Sequence, residues 1–246
     1  MGTQEQLQLV WDTIALHTII GACGFSKKYR KKCPLSGDSL VIKPTINILK
    51  QMKALHIISS PRGAQSYSRR LSTAIIERLL EKNIVRTVIE RNLIEKIPPH
   101  LNETLIAEFY KAPEKINTNP MLAYADSIFC EVKEADVVII GTPMHNLGIS
   151  APLKAWIDQL IRFGITYGYG KDGKREGYLN GKKVYLAIAS GSRLSDWPGN
   201  FDFIESYIKA VFNTYLGITD ICTFRVEGTA SNEFKEDYRE IIKNIK

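Results

Sequence analysis

The sequence predicts an α/β fold: one doubly wound domain over residues 52–246, a five-stranded parallel sheet with helices on both faces. Three observations carry that reading. Five apolar segments alternate with stretches of helical periodicity. One of them, DVVIIG at 136–141, is a continuous Val/Ile run, the pattern of a central parallel strand covered on both faces. Breaks at Pro98–Pro99, at 117–120 and at Gly217 separate the elements.

The elements follow in order. Residues 54–59 (ALHIIS) are the first strand, and 61–65 a turn. A helix over 68–82 carries Leu71, Ile75, Ile76, Leu79 and Leu80 at helical spacing, with Ser66 or Ser68 as its cap. The second strand is 84–90, with Val85, Val88 and Ile89. Helices over 101–110 and 121–134 lead to the central strand, and Thr142 to Ser150 form the loop behind it. Pro152 starts a helix over 151–161. The Gly- and Tyr-rich segment 163–178 is loop or hairpin. A strand over 182–190, a helix over 201–216 ended by Gly217, and a strand over 221–226 come next. A last helix over 234–245 places Tyr238, Ile241 and Ile245 on its apolar side.

Composition is that of an ordinary globular chain, with 44% hydrophobic and 24% charged residues. No apolar run reaches membrane-helix length, so no stable membrane insertion is expected. The apolar stretch 9–23 is interrupted by Asp12 and His17 and follows Gln4, Glu5 and Gln6, unlike a secretory signal. Cys23, Cys33, Cys130 and Cys222 show no CxxC spacing, which argues against a zinc site or disulfide framework and for a cytoplasmic protein. The net charge is +7; residues 1–52 hold seven Lys/Arg and three Asp/Glu, contributing +4. Lys27, Lys28, Arg30, Lys31 and Lys32 make most of that excess. A solvated tail is the simpler reading of this cluster than a nucleic-acid or lipid contact, and no nucleic-acid partner is expected. Residues 1–51 are therefore taken as a basic N-terminal appendage of unknown role, with Met52 a candidate natural start.

In open α/β sheets ligands bind beyond the carboxyl ends of the strands. Three loops leave such ends: 59–68, 142–150 and 190–200. The first, SSPRGAQSYS, lacks both GxGxxG and the GxxxxGK[ST] phosphate loop. It offers the hydroxyls of Ser60, Ser66 and Ser68 at the mouth of a helix, a natural anion site. Hydroxyls without a metal-binding carboxylate suit a single terminal phosphate, as in FMN; equally, Ser66 and Ser68 serve only as helix caps. In the second loop Met144, His145 and Leu147 offer a surface to a flat ring, and Asn146 a polar group for its edge. A lone loop histidine gives no ground for acid–base chemistry. In the third, Gly191 permits close backbone approach, Arg193 supplies charge, and Trp197 either lines a pocket or covers the core. No nucleophile elbow, triad or carboxylate pair is present, so a cofactor is expected to carry the chemistry, with no catalytic side chain assigned.

The motif PMHNLGIS (143–150) with APLKAWID (151–158), together with GITYGY (164–169) and LNGKKVYLAIASG (179–191), resembles the FMN-dependent NADH azoreductases, or NADH:quinone oxidoreductases, of the flavodoxin-like superfamily. The resemblance runs from about residue 53 to 226. It implies a flavodoxin-like fold and ping-pong hydride transfer from NADH through FMN to quinones, with reductive cleavage of aromatic azo compounds to amines. It implies that Ser60, Ser66, Tyr67 and Ser68 surround the FMN phosphate. Pro143, Met144, His145 and Asn146 would lie along the ring and ribityl chain, and Ser190, Gly191, Ser192 and Arg193 at the pyrimidine end. It also implies a homodimer with acceptor pockets between subunits, for which Phe163 and the 167–178 segment are candidate walls. Two departures stand out: Ser190-Gly191-Ser192-Arg193 replaces a Ser-Arg-Gly-Gly pattern, and His145 replaces a tyrosine found in some relatives. The competing readings are a flavodoxin-like electron carrier and an NADPH-dependent flavin reductase with another acceptor.

Overall fold

The structure, a computed structural model, describes residues 52–110, 119–197, 199 and 201–245. The appendage 1–51, with its expected short helix over 9–20 and its Lys27–Lys32 cluster, lies outside the described residues.

Five parallel strands form the sheet: β1 (Met52–Ile58), β2 (Val85–Asn92), β3 (Val137–Pro143), β6 (Lys183–Ala189) and β7 (Asp220–Val226), in the order β2-β1-β3-β6-β7. The segment expected as loop or hairpin is an antiparallel hairpin of β4 (Tyr167–Tyr169) and β5 (Arg175–Gly177). Among the described residues six α-helices connect and cover the strands: α1 (Tyr67–Glu81), α2 (Glu103–Phe109), α3 (Ala123–Glu134), α4 (Ala151–Leu160), α5 (Phe203–Val211) and α6 (Tyr238–Ile241).

Side chains alternate across the sheet, so the core has two layers. Leu55, Ile57, Val138, Ile140, Val184, Leu186 and Ile188 pack with Ile128, Trp156, Leu160, Ile208 and Phe212 of α3, α4 and the α5 segment. Ala54, Val137, Ile139, Tyr185 and Ala187 face Leu71, Ile75 and Leu79 of α1 and, near the C-terminus, Ile242 and Ile245. Central β3 is buried over Val137–Thr142, which is why it reads as an unbroken apolar run. β2 is an edge strand whose Val88 and Ile89 stay 36% and 43% exposed.

Two helices differ from expectation. The helix expected over 201–216 is α5 followed by a π-helical turn, Phe212–Leu216, closed by Gly217 at φ 74°. That closure brings Gly217 against Gly177 of the hairpin, where a Cβ on Gly177 would lie 2.0 Å from the Gly217 nitrogen. The C-terminal helix is only Tyr238–Ile241, because Asp237 caps it and hydrogen bonds of shorter span replace the helical pattern after Ile242.

Candidate functional site

β1 lies between β2 and β3, so the chain leaves β1 to one side of the sheet and later returns on the other. The crevice at that switch, beyond the carboxyl ends of β1 and β3, is where this topology places ligands. The backbone N–H and hydroxyl of Ser59 both donate to the Gly141 carbonyl at 3.1 Å, which fastens the first loop to the end of β3. The loop then turns through Gly63, at φ 53°, and enters α1.

Ser66 is the N-cap of α1: its Oγ accepts from the Arg69 amide at 3.2 Å and lies 3.1 Å from the Ser68 Oγ. Ser60 Oγ accepts from the Arg62 amide at 3.4 Å. All three serines are buried, yet their hydroxyls line a cavity of about 240 Å³. The two sequence readings of these residues are thus compatible, since capping occupies Ser66 only in part. Tyr67 joins the lining, its ring flanked by the guanidinium groups of Arg62 (5.5 Å) and Arg70 (4.7 Å) and met edge-on by Phe234.

Another part of the wall comes from Pro143, the end of β3, and from Met144 and His145 just after it. The Met144 amide donates to the Ala189 carbonyl at 2.8 Å, extending the β3–β6 ladder by one residue. His145 and Gly148 then exchange two hydrogen bonds of 3.0 Å around Asn146 and Leu147, whose φ values are 49° and 67°. This tight turn places His145 in the lining while Asn146 stays out of it. Ala189 and Gly191 complete the wall at the end of β6.

A second cavity of about 450 Å³ adjoins the first at Gly191 and holds Ser192, Arg193, Asp196 and Trp197. Ser190 lines neither cavity. It is a fastener: its amide donates to the Val226 carbonyl, its hydroxyl to the Ser192 carbonyl at 2.7 Å, and its own carbonyl accepts from Thr229. Of the twelve residues singled out in the sequence, eight line the first cavity, and Gly191 with Ser192 and Arg193 reaches the second. Phe163 and the 167–178 hairpin lie in neither; within one chain they form their own aromatic cluster, with Phe163, Tyr167 and Tyr169 in ring contact.

Four further residues line the first cavity: Arg62, Ala189, Thr229 and Ala230. Thr229 and Ala230 follow β7, whose carboxyl-end loop falls under the same rule as the other three. Their amides donate to the Ser190 and Gly191 carbonyls at 3.1 Å. Among the described residues the first cavity contains no carboxylate, and Arg62 is its only guanidinium or ammonium group. Hydroxyls, the start of a helix and one cation suit a phosphate; Met144, Ala189 and Ala230 supply the apolar surface a flat ring needs.

Among known proteins, residues 52–246 match the family model described as flavodoxin-like fold. The chain is 40% identical over 179 residues to FMN-dependent NADH:quinone oxidoreductase 2 of Rhizobium etli, covering 71% of this chain and 85% of that protein. It is 36% identical to FMN-dependent NADH:quinone oxidoreductase 1 of Idiomarina loihiensis, covering 77% and 98%. Among solved structures, an azoreductase from Bacillus anthracis superposes with a TM-score of 0.67 at 29% identity, covering 78% and 94%. An FMN-dependent NADH-azoreductase of the same species, in complex with FMN, gives 0.61 at 25%, covering 78% and 93%. A five-stranded sheet in this order, a serine-lined crevice at its switch point and relatives of this identity lead to one assignment: the chain belongs to the flavodoxin-like family of FMN-dependent NADH:quinone oxidoreductases.

Proposed function

We propose that this chain binds FMN in the first cavity and transfers reducing equivalents from NADH to quinones, and also cleaves aromatic azo compounds. The carrying observation is the single cavity in which three buried hydroxyls, Ser60 after β1 and Ser66 and Ser68 at the start of α1, meet Met144, His145 and Gly191. In this reading Ser60, Ser66, Tyr67 and Ser68 hold the phosphate. Pro143, Met144 and His145 line the ring and ribityl chain, and Gly191 admits the ring's far end. Asn146 and Ser190 shape these walls, and Ser192 and Arg193 border the adjoining space. Bound FMN would supply the two-electron redox chemistry. The overall reaction takes NADH, a proton and a quinone to NAD⁺ and a hydroquinone; an azo compound consumes two NADH and two protons to give two amines. The protein's own work is to orient the two substrates in turn over one surface, giving ping-pong kinetics.

The half-exposed aromatic surface of Phe163, Tyr169 and Tyr178 supports a homodimer in which the hairpin meets a partner. A nicotinamide donor and an exposed free thiol at Cys130 fit a reducing cytoplasm. Among the described residues no helix is long and apolar enough to cross a membrane. Residues 52–246 are read as the catalytic domain and 1–51 as an appendage outside it.

The test is purification followed by absorbance spectroscopy, light scattering and anaerobic mixing with NADH and then a quinone. The expected result is a flavin spectrum, a mass of two chains, and bleaching by NADH reversed by quinone without a separate reductase. The same result is expected for residues 52–246 alone. Failure to bind added FMN would sink the reading, and reduction only by a separate reductase would favour the electron carrier.

A further inference from the structure

We infer that the second cavity receives the ADP-ribose arm of the nicotinamide donor and makes the protein select NADH over NADPH. This rests on the reading that FMN occupies the first cavity. The two spaces are neighbours at Gly191, which lines both. A donor whose nicotinamide lies over a ring in the first space therefore has a neighbouring space for its remainder. At about 450 Å³ the second cavity has room for an adenosine.

Its lining matches the parts of that arm. Trp197 is 40% exposed and is held edge-on by Phe201 at 5.5 Å, leaving an indole face for a purine. Arg193 lies across Gly228, where φ is 71° and a Cβ would come within 3.2 Å of the Arg193 Nε. That glycine thus makes room for the arginine. Among the described residues Arg193 has no carboxylate partner, so its charge is available to a diphosphate near the junction.

The selective element is acidic. Asp196 and Glu233 line the same space, and neither is paired with a cation among the described residues. Asp196 receives only the Ser195 hydroxyl, at 3.4 Å. Glu227, just outside, accepts from the Leu194 amide at 3.4 Å and holds the loop that carries Asp196. Carboxylates accept hydrogen bonds from ribose hydroxyls, as in other NADH sites. The 2′-phosphate of NADPH would instead bring a dianion to two carboxylates and one arginine, so like-charge repulsion disfavours it.

The experiment compares kcat/KM for NADH and NADPH, with one quinone, in the wild-type holoprotein and in the Asp196→Asn/Glu233→Gln variant. The wild type is expected to favour NADH. In the variant the NADPH-to-NADH ratio should rise about tenfold, as removal of two nearby charges allows, with FMN content and quinone KM unchanged. Trp197→Ala should raise KM for both donors several-fold without moving the ratio. A ratio unchanged in the double variant, or a wild type that favours NADPH, overturns the inference while FMN binding and quinone reduction stand. A wild type that binds no FMN overturns both readings.

Discussion

In the proposed FMN site, Arg62 is the residue expected to separate a phosphate from a neutral hydroxyl. The serine hydroxyls and the α1 amides are neutral donors, and Ser66 already serves its own helix. Arg62 is exposed, carries no carboxylate partner among the described residues, and lies over the Tyr67 ring at the cavity edge. A charged hydrogen bond of this kind contributes about 2 kcal/mol, roughly thirtyfold in affinity. Arg62→Ala is therefore expected to weaken FMN binding by about that factor while leaving riboflavin binding unchanged. Quenching of flavin fluorescence on titration with each ligand measures both. Equal losses for the two flavins would show that Arg62 acts on the cavity's shape rather than on the phosphate. The same scale explains the turn at Asn146 and Leu147. Left-handed backbone costs a non-glycine residue about 1 kcal/mol, yet two successive residues adopt it here. The turn keeps His145 in the lining, where nearby Gly148 with its ordinary φ does not signal a strained conformation.

At the scale of elements, the site depends on how closely α1 lies on the sheet. Gly141 of β3 faces that helix: a Cβ there would come 2.6 Å from the Ser72 Oγ and 3.0 Å from the Ser68 carbonyl oxygen. Gly141→Ala must push the first turn of α1 outward, carrying Ser66 and Ser68 with it. Overpacking of this kind costs about 1–3 kcal/mol. The expected outcome is a lower urea midpoint together with weaker FMN binding. Adding Ser72→Ala removes the nearest clash and should restore part of the FMN affinity, since only the contacts with the Ser68 carbonyl and the residue 72 Cβ remain; the urea midpoint stays low, because the buried His56 Nε2–H loses its Ser72 acceptor. Stability lost with FMN affinity intact would mean that α1 does not position the serines.

The elements that sequence patterning located are those whose burial matches their period. β3 is buried on both faces and reads as a Val/Ile run; α1 shows Leu71, Ile75 and Leu79 inward and is found within a residue at each end. What patterning did not resolve depends on contacts distant in sequence. The π-helical turn at Phe212–Leu216 is fixed by the approach of Gly217 to Gly177, and nothing local distinguishes it from a longer α-helix. The C-terminal helix is shorter than its pattern predicts because Tyr238, Ile241 and Ile245 keep helical spacing while the chain past Ile241 buries Ile242 and Ile245 without continuing the helix. The serine loop and the 143–145 wall were legible because they sit at strand ends, whereas Thr229 and Ala230 join the site only through hydrogen bonds to Ser190 and Gly191.

For the whole molecule, acid stability turns on a residue that the function does not use. His56 points from β1 to the α1 side of the sheet, is 3% exposed, and its Nε2 lies 2.7 Å from the Ser72 Oγ. Ser72 Oγ donates to the Arg69 carbonyl, so the imidazole Nε2–H is the donor to Ser72. Burial, with a smaller contribution from the Arg69 charge, lowers the His56 pKa to about 4. The half-exposed Glu90 carboxylate, 3.7 Å from Nδ1, does not offset this, and the ring is neutral at pH 7. The unfolded chain holds this proton near pH 6.5, the folded protein only near pH 4. Between those values the unfolded state binds more protons, so stability falls as pH drops through that window and is level above it. A shift from 6.5 to about 4 corresponds to at most about 3 kcal/mol. His56→Leu cannot take up the proton and leaves one Ser72 lone pair unmatched. It is expected to be less stable at pH 7 but to lose less stability between pH 6.5 and pH 4. Urea unfolding of both proteins across that range, at fixed ionic strength and saturating FMN, measures the difference. Parallel stability curves for the two would remove His56 as a source of the acid sensitivity.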